Sequence, residues 1–461
     1  MQRTQDTQTR RQFMATGART AAAAGLLAGL GRSTQAQPST DTQQRPPNLV
    51  WIWCDNLAWG DLGCYGNTRV STPNIDRLAE QGARFTQYYI AHTVCSPSRA
   101  ALLTGRQPWR TGIVDVLRPD GPGGLPEDEL TLAEALKPRG YATAAYGKWH
   151  LGDRTEYLPL QHGFDHWLGL PYSMDMRPTL LYRDNEVVDR LPGDGVRDVT
   201  TRLADDAVDY IREHQDEPFF LYFAHPIPHP PLNIPEAYRR EDRTIYEDAV
   251  SYMDEQTGRL LAALDELGLA ENTVVAFSSD NGPMGKYGDT GGLRGGIRDA
   301  YEGGIRVPLV MRYPGHIPAG TTVDTPAIAY DIFPTFLGLA GAAPPGDRAY
   351  DGQNIWPLCT GADGVERDKP FVWVYFDNVT TVRQGDWKLH VGHRGKRLDP
   401  PELYNIAEDP HETTPVNGAH PEVLARLKAF ADDYEDQVPK VWSLQYPVRD
   451  PAKRPSGVRR E

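Results

Sequence analysis

Cysteine is scarce in this chain, with only Cys54, Cys64, Cys95 and Cys359 among 461 residues. Thiols spread that thinly exclude a disulfide framework; Cys54 lies in an apolar run and reads as core, while Cys64 and Cys359 could pair or stay free. Positive charge is also short, with 48 Lys and Arg against 62 Asp and Glu and a formal charge of −14. A net acidic surface repels polyanions at long range. It excludes nucleic acid as the expected partner, and any anion site has to be assembled locally from Arg, Lys or a metal ion. No apolar run reaches the roughly 20 residues that span a bilayer. Internal repeats are missing too, which excludes solenoids and propellers. What remains, 39% hydrophobic and 24% charged, is a globular chain long enough for one large domain and a smaller one.

The first 36 residues do not read as fold. Arg10 and Arg11 stand before Phe13 and Met14, an Ala- and Leu-rich stretch runs from Ala21 to Leu30, and Thr34-Gln35-Ala36 offers a small-residue cleavage site. This layout is that of a twin-arginine signal peptide, and no cysteine stands near the cleavage point to take a lipid. The expectation is delivery by the twin-arginine export machinery, already folded, to the periplasm or outside, with no stable membrane anchor. Removing residues 1–36 takes away five arginines and one aspartate and moves the charge from −14 to −18. A Gln- and Thr-rich linker, 37–46, follows.

From residue 47 the pattern alternates strand and helix. NLVWIWC (48–54) is a continuous apolar run, as in a strand buried on both faces. Thr72-Pro73 opens a helix to about Gly82, with Thr as N-cap and Pro in the first turn. Strands are expected at 85–91, 142–146, 219–224, 273–279 and in VPLVMRY. Helices are expected in SRAALLTG, LTLAEALKPRG, TTRLADDAVDYIREH, 247–267 and DIFPTFLGLAG. The fold class is α/β, a large, mostly parallel sheet covered by helices on both faces. Near 370 the pattern changes: FVWVYF and TTVRQGDWKLHV, with a Gly-Asp turn, read as antiparallel strands, and a helix follows at about 420–436. The expected domains are a catalytic domain at 47–369, a smaller α+β C-terminal subdomain at 370–447 and a tail at 448–461.

In parallel α/β sheets ligands bind beyond the carboxyl ends of the strands. Asp55-Asn56, His92 with Cys95, Lys148 with His150, His225 with His229, and Asp280-Asn281 each follow a predicted strand. Taken singly, Asp-Asn-Gly is a common turn and a His-Pro loop is commonly structural. Five such ends on one sheet edge make a site. Asp55, Asn56, Asp280 and Asn281 offer only oxygens, which suits Ca²⁺ or Mg²⁺ and not zinc. Arg99, Lys148 and the cation can neutralise a tetrahedral oxyanion, and His150 and His229 can move protons. A helix starting at Ser96 or Pro97 turns its positive end toward Cys95. These residues fit phosphoryl or sulfuryl transfer. For Cys95 itself nucleophile, metal ligand, disulfide half and core residue all stay open at this point.

CSPSRAALLTGR, from Cys95 to Arg106, resembles the sulfatase signature Cys-x-Pro-x-Arg followed by x₄-Thr-Gly. DNLAWGDLGCYG (55–66), GKWHLG (147–152), SDNG (279–282), YEGGIRVP (301–308) and LYNIAEDPHE (403–412) resemble further elements of that family, so the likeness runs from about 47 to 415. PYSMD (171–175) resembles the branch that includes arylsulfatase A. The resemblance implies an alkaline phosphatase-like fold and a formylglycine made from Cys95 by a maturation enzyme. The hydrated aldehyde would attack sulfur through one hydroxyl and release sulfate through the second. It implies Ca²⁺, in preference to Mg²⁺, held by Asp55, Asn56, Asp280, Asn281 and the modified Cys95. Arg99 would orient the diol, Lys148 bridge diol and sulfate, His150 take the elimination proton, and His229 bind sulfate and assist the leaving oxygen. Ser173, Asp175, Arg177 and Arg294 are candidate substrate contacts.

Two positions depart from the family pattern. Asn56 stands where a second Asp is more common, which removes one negative charge from the metal site. Ile297 stands where a Lys usually contacts the sulfate; Arg298, next to it, can substitute if the loop shifts by one residue, although Arg and Lys differ in reach. The expected activity is hydrolysis of a sugar or aryl sulfate ester. The alternatives are a phosphonate or phosphate ester hydrolase on the same site, and a non-catalytic binder of sulfated glycans.

Overall fold

The computed structural model describes residues 45–439 apart from 193–195, 363, 364, 366 and 368. The expected signal peptide (1–36), most of the linker and the tail (448–461) lie outside the described residues. An eleven-stranded sheet contains β1 (Asn48–Cys54), β2 (Ala83–Tyr89), β3 (Ala142–Lys148), β4 (His166–Leu170), β5 (Leu180–Arg183), β6 (Glu186–Arg190), β7 (Phe219–Ala224), β8 (Thr273–Ser279), β9 (Arg306–Arg312), β10 (Thr321–Val323) and β11 (Ala327–Ile328). The order is β10-β2-β9-β8-β1-β7-β3-β4-β5-β6, with β11 beside β2. A four-stranded antiparallel sheet follows: β12 (Phe371–Tyr375), β13 (Asn378–Gln384), β14 (Trp387–His393) and β15 (Lys396–Asn405).

The large sheet is mixed. β8, β1, β7, β3 and β4 are mutually parallel, but β9 runs against both β8 and β2, and β5 and β6 form an antiparallel hairpin on β4. The reversal of β9 leaves β2 pointing the same way as β1. The carboxyl ends of β1, β2, β3, β7 and β8 therefore share one edge.

The apolar run of β1 serves two cores. Leu49, Trp51 and Trp53 enter one buried cluster, and Val50, Ile52 and Cys54 enter the other, as the period of two along a strand requires. Helices Cys95–Thr104 and Ile332–Leu339 cover the first face. Helices Pro73–Glu80, Val199–Glu213 and Ile245–Glu266 cover the second. Capping boxes at Thr131/Glu134 and Thr244/Glu247 start the short helix Leu132–Leu136 and the covering helix Ile245–Glu266. Thr72 does not cap the helix after it. Its hydroxyl accepts from the Gly63 N–H and donates to Asp76, so it ties the helix to the loop that leaves the site.

Helix Pro421–Gln437 packs on the small sheet through Val423, Leu427 and Ala431. The two sheets are joined by polar contacts as well as packing. Trp373 on β12 donates its indole N–H to the Ile90 carbonyl at 2.8 Å. Lys388 on β14 lies 2.8 Å from Glu302 and 3.1 Å from Glu412, and all three are fully buried. Among the described residues no helix is long and apolar enough to cross a membrane.

Gly147 shows how closely backbone packs beside the future site. Its φ is +84°, and a Cβ there would stand 1.9 Å from the Ala224 carbonyl oxygen. A side chain would have to separate β3 from β7 one residue before Lys148. Gly147→Ala is expected to destabilise the protein by roughly 1–3 kcal/mol or more, measured by denaturant unfolding. Unchanged stability would contradict this reading of the β3–β7 contact.

Candidate active site

Backbone hydrogen bonds tie the strand ends together. The Asp55 amide donates to Ile227 after β7, and the Asp280 amide donates to Cys54 at the end of β1, at 3.3 and 3.0 Å. Asn56 then turns with φ +67° and donates its N–H to Asp280 Oδ1 at 3.2 Å. That backbone conformation is costly for a residue with a side chain, and such cost is typical of sites where geometry is dictated by function. His150 (φ +62°) and Arg298 (φ +74°) share it.

On this frame sit four wholly buried charges. Lys148 Nζ is 2.6 Å from Asp55 Oδ2. Arg99 reaches Asp280 Oδ2 through Nε at 3.0 Å and Nη2 at 2.7 Å, and its Nη1 donates to the Lys148 carbonyl at 2.5 Å. Cys95, the first residue of its helix, places Sγ 3.6 Å from Asp55 Oδ1. One ligand atom from each of Asp55, Cys95 and Asp280 lies within 4.8 Å of the others. Asn281 Nδ2 hydrogen-bonds Asn56 Oδ1 and the Gly282 carbonyl, while its Oδ1 is buried without a hydrogen-bond partner among the described residues.

The electrostatics show what the cluster is short of. Burial and the Asp55 charge push the Asp280 carboxyl above its ordinary value. Asp55 also resists ionisation by burial, but Lys148, with His229 and Arg99, brings it below the usual range. Two carboxylates with a buried amide oxygen, all oxygen donors, suit a hard cation, which would relieve the strain on Asp280. Burial and Asp280 push the Cys95 thiol far up, so the unmodified residue is a protonated thiol and a poor nucleophile.

His150 is fully buried and held well below its ordinary value by burial and by the cations Lys148 and Arg99. It is therefore neutral. Its Nε2 lies 3.1 Å from the Leu117 carbonyl, which can only accept, so Nε2 carries the proton. Nδ1, buried without a partner among the described residues, is left as the basic nitrogen. The Tyr172 ring stands edge-on to His150 at 5.6 Å. His229 is buried in the loop after β7, with Nδ1 on the Pro230 carbonyl.

The remaining predicted contacts separate. Ser173 is buried and its Oγ has no hydrogen-bond partner among the described residues. Asp175 is exposed, and Arg177 turns to the Thr179 hydroxyl. Arg294 is drawn toward the small sheet: it bonds Tyr404 Oη at 3.0 Å and the Glu412 carbonyl at 3.1 Å, and lies 3.7 Å over the Tyr301 ring. Arg298 donates its amide to the Thr93 carbonyl at 2.9 Å, two residues before Cys95, and its side chain meets Asp115 at 3.4 Å. Ile297 and Arg298 thus lie in a loop seated against the Cys95 segment. Sequence reasoning missed Ser96 and Leu117. Ser96 Oγ accepts the Leu117 N–H at 3.0 Å, and Leu117 in turn sets the tautomer of His150. The serine's place inside the Cys95–Arg99 motif was the only available signal.

Comparison with known proteins agrees with this arrangement. The Sulfatase family model matches residues 47–342, and the model "N-sulphoglucosamine sulphohydrolase, C-terminal" matches 297–435. The chain is 38% identical to N-acetylgalactosamine-6-sulfatase of Canis lupus familiaris over 79% of its length and 73% of the relative. It is 37% identical to arylsulfatase A of Homo sapiens over 83% of its length and 87% of the relative. The crystal structure of Ps i-CgsB in complex with k-i-k-neocarrahexaose superposes with a TM-score of 0.78 at 29% identity, covering 88% of this chain and 98% of that one. The chain belongs to the sulfatase family. It has the alkaline phosphatase-like fold and is a sulfuric ester hydrolase.

Several buried histidines besides His150 are kept neutral. Burial pushes His225 down to about 3, while its Nε2 stays 3.1 Å from Thr257 Oγ1. Burial and Arg298 push His92 down to about 3, and burial pushes His162 down to about 4. Below about pH 6.5 the unfolded chain binds protons that these groups refuse, so stability falls with falling pH and is fully present above that value. The slope is about 1.4 kcal/mol per pH unit for each group. His225→Gln is expected to reduce it by that much between pH 6.5 and 4.5 in urea unfolding; an unchanged slope would contradict the assignment.

Proposed function

We propose that this enzyme hydrolyses sulfate esters of sugars or aryl alcohols at residue 95, after a maturation enzyme has converted Cys95 to formylglycine. The observation that carries the reading is the buried quartet of Asp55, Lys148, Arg99 and Asp280 around Cys95. Asp55, Asn56, Asp280, Asn281 and residue 95 would hold Ca²⁺, with Mg²⁺ a poorer fit to a site of this many protein oxygens. When present, formylglycine supplies two geminal hydroxyls, one to attack sulfur and one to lose a proton as sulfate leaves, and the cation supplies positive charge beside them.

The chain's own residues do the rest. Arg99 is fixed on Asp280 and on the Lys148 carbonyl, so it holds the residue-95 side chain in one orientation. Lys148 and Arg99 carry charge to the sulfuryl oxygens as negative charge builds on them. His150, neutral and protonated on Nε2, accepts a proton on Nδ1. His229, oriented through Nδ1 by Pro230, binds sulfate and assists the leaving oxygen. Ser173 Oγ has a hydrogen bond to give, and Arg298 takes over from the lysine that Ile297 replaces. The catalytic domain spans 47–369 and the C-terminal subdomain 370–447. Export by the twin-arginine route would put the enzyme where sulfated carbohydrate is met outside the cytoplasm.

Nitrophenyl sulfate is expected to be turned over much faster than the matching phosphate ester, and His150→Ala to lower kcat on it by about 10²- to 10⁴-fold. Preferred turnover of the phosphate ester, or full activity of H150A, would contradict the proposal.

A further inference from the structure

The turn between β14 and β15 carries three cations, Arg394, Lys396 and Arg397, with no carboxylate between them. On a chain of formal charge −14 this concentration of positive charge is local. Its position connects it to the site. Arg394 Nε donates to Asp299 Oδ1 at 2.7 Å, and His393 Nε2 lies 3.5 Å from the same oxygen. The His393 ring lies against Tyr301 at 5.4 Å. Asp299 directly follows Arg298, whose amide is bonded to Thr93 beside the Cys95 segment. The hairpin tip is thus docked on the loop that walls the catalytic cluster.

Burial holds His393 below its ordinary value, so it adds no charge, and Asp299 offsets the charge of Arg394 alone. Lys396 and Arg397 are exposed and have no ion-pair partner among the described residues. Lys396 stands directly across the hairpin from His393. Cross-strand partners project from the same face of a sheet, so Lys396 shares the face that meets Asp299 and Tyr301. Positive charge without a protein partner, on a hairpin docked against the loop that reaches the Cys95 segment, is placed to receive an anion.

We propose that this hairpin forms a second anion subsite. It binds a sulfate or carboxylate on the leaving-group side, so the preferred substrate carries at least two anionic groups, as a sulfated or uronate-containing oligosaccharide does. The inference rests on the sulfatase reading above and adds the substrate class. A monosulfated aryl ester has its one anion at residue 95 and nothing to place at Lys396. The interaction is solvent-exposed and therefore weakens as salt rises.

The test compares nitrophenyl sulfate with sulfated tetrasaccharides of chondroitin, heparin and carrageenan type, using the full-length enzyme at low and high salt. Lys396→Ala is expected to raise the ratio of the best oligosaccharide's KM to that of nitrophenyl sulfate about fivefold at low salt. Lys396→Glu should raise it further, Lys396→Arg should restore it, and high salt should close the gap. A structural role would move both substrates alike. An unmoved ratio, or one indifferent to charge and salt, overturns the subsite. If the unmutated enzyme turns over none of these esters, the sulfatase mechanism fails instead. Calorimetric titration of the same tetrasaccharides into Cys95→Ala protein then decides the subsite alone. Affinity that falls when Lys396→Ala is added supports it; equal affinity, or no binding, overturns it.

Discussion

Two carboxylates, Asp55 and Asp280, are buried side by side, and the rest of the structure is arranged to make that tolerable. Removing an ion from water costs several kcal/mol even after relaxation, and a like charge alongside adds to it. Lys148 and Arg99 answer with one cation each, both fully buried. The four groups come from four different segments: the end of β1, the helix that starts at Cys95, the end of β3 and the end of β8. Each segment must therefore stop at the same sheet edge. The parallel course of these strands, the close backbone contact at Gly147 and the left-handed turn at Asn56 all serve that requirement.

The small sheet belongs to the same electrostatic design. Lys388 lies between Glu302 and Glu412, and His390 reaches Glu412 at 2.6 Å, all in the interior. The Glu302 amide donates to the Glu412 carboxylate at 2.6 Å. Glu302 closes the loop that carries Arg298, and Gly303 donates to Arg294 within that loop. A buried ion network thus anchors the base of a loop whose middle lies against the Cys95 segment. The C-terminal strands are thereby tied to the loop that packs against the Cys95 segment.

Much of this was legible in the sequence because continuous apolar runs and the polar residues after them are local signals. The runs at 48–54, 219–224 and 273–279 are strands with the bounds expected, and Asp55 and Asp280, which follow the first and the last of them, meet Lys148 from the end of β3 and Arg99. Strand direction is not a local property, so the reversal of β9 was hidden. β15 was missed because Asp399, Pro400 and Pro401 break its pattern. Arg294 reads as a candidate substrate contact; that it also bonds Tyr404 and Glu412, more than a hundred residues away, is a pairing that no spacing rule reveals. Ile297 and Arg298 stood out by their difference from the family pattern, which sequence shows well; their seat against Thr93 needed the fold.

The central claim is that Cys95 works only after modification, since its buried thiol is held protonated. Intact-peptide mass spectrometry across Cys95, on protein purified from its native host, tests this directly. Conversion of –CH₂SH to –CHO makes the peptide lighter by about 18 Da, and the account predicts that shift. An unmodified thiol in sulfate-ester-hydrolysing protein from that host would contradict it.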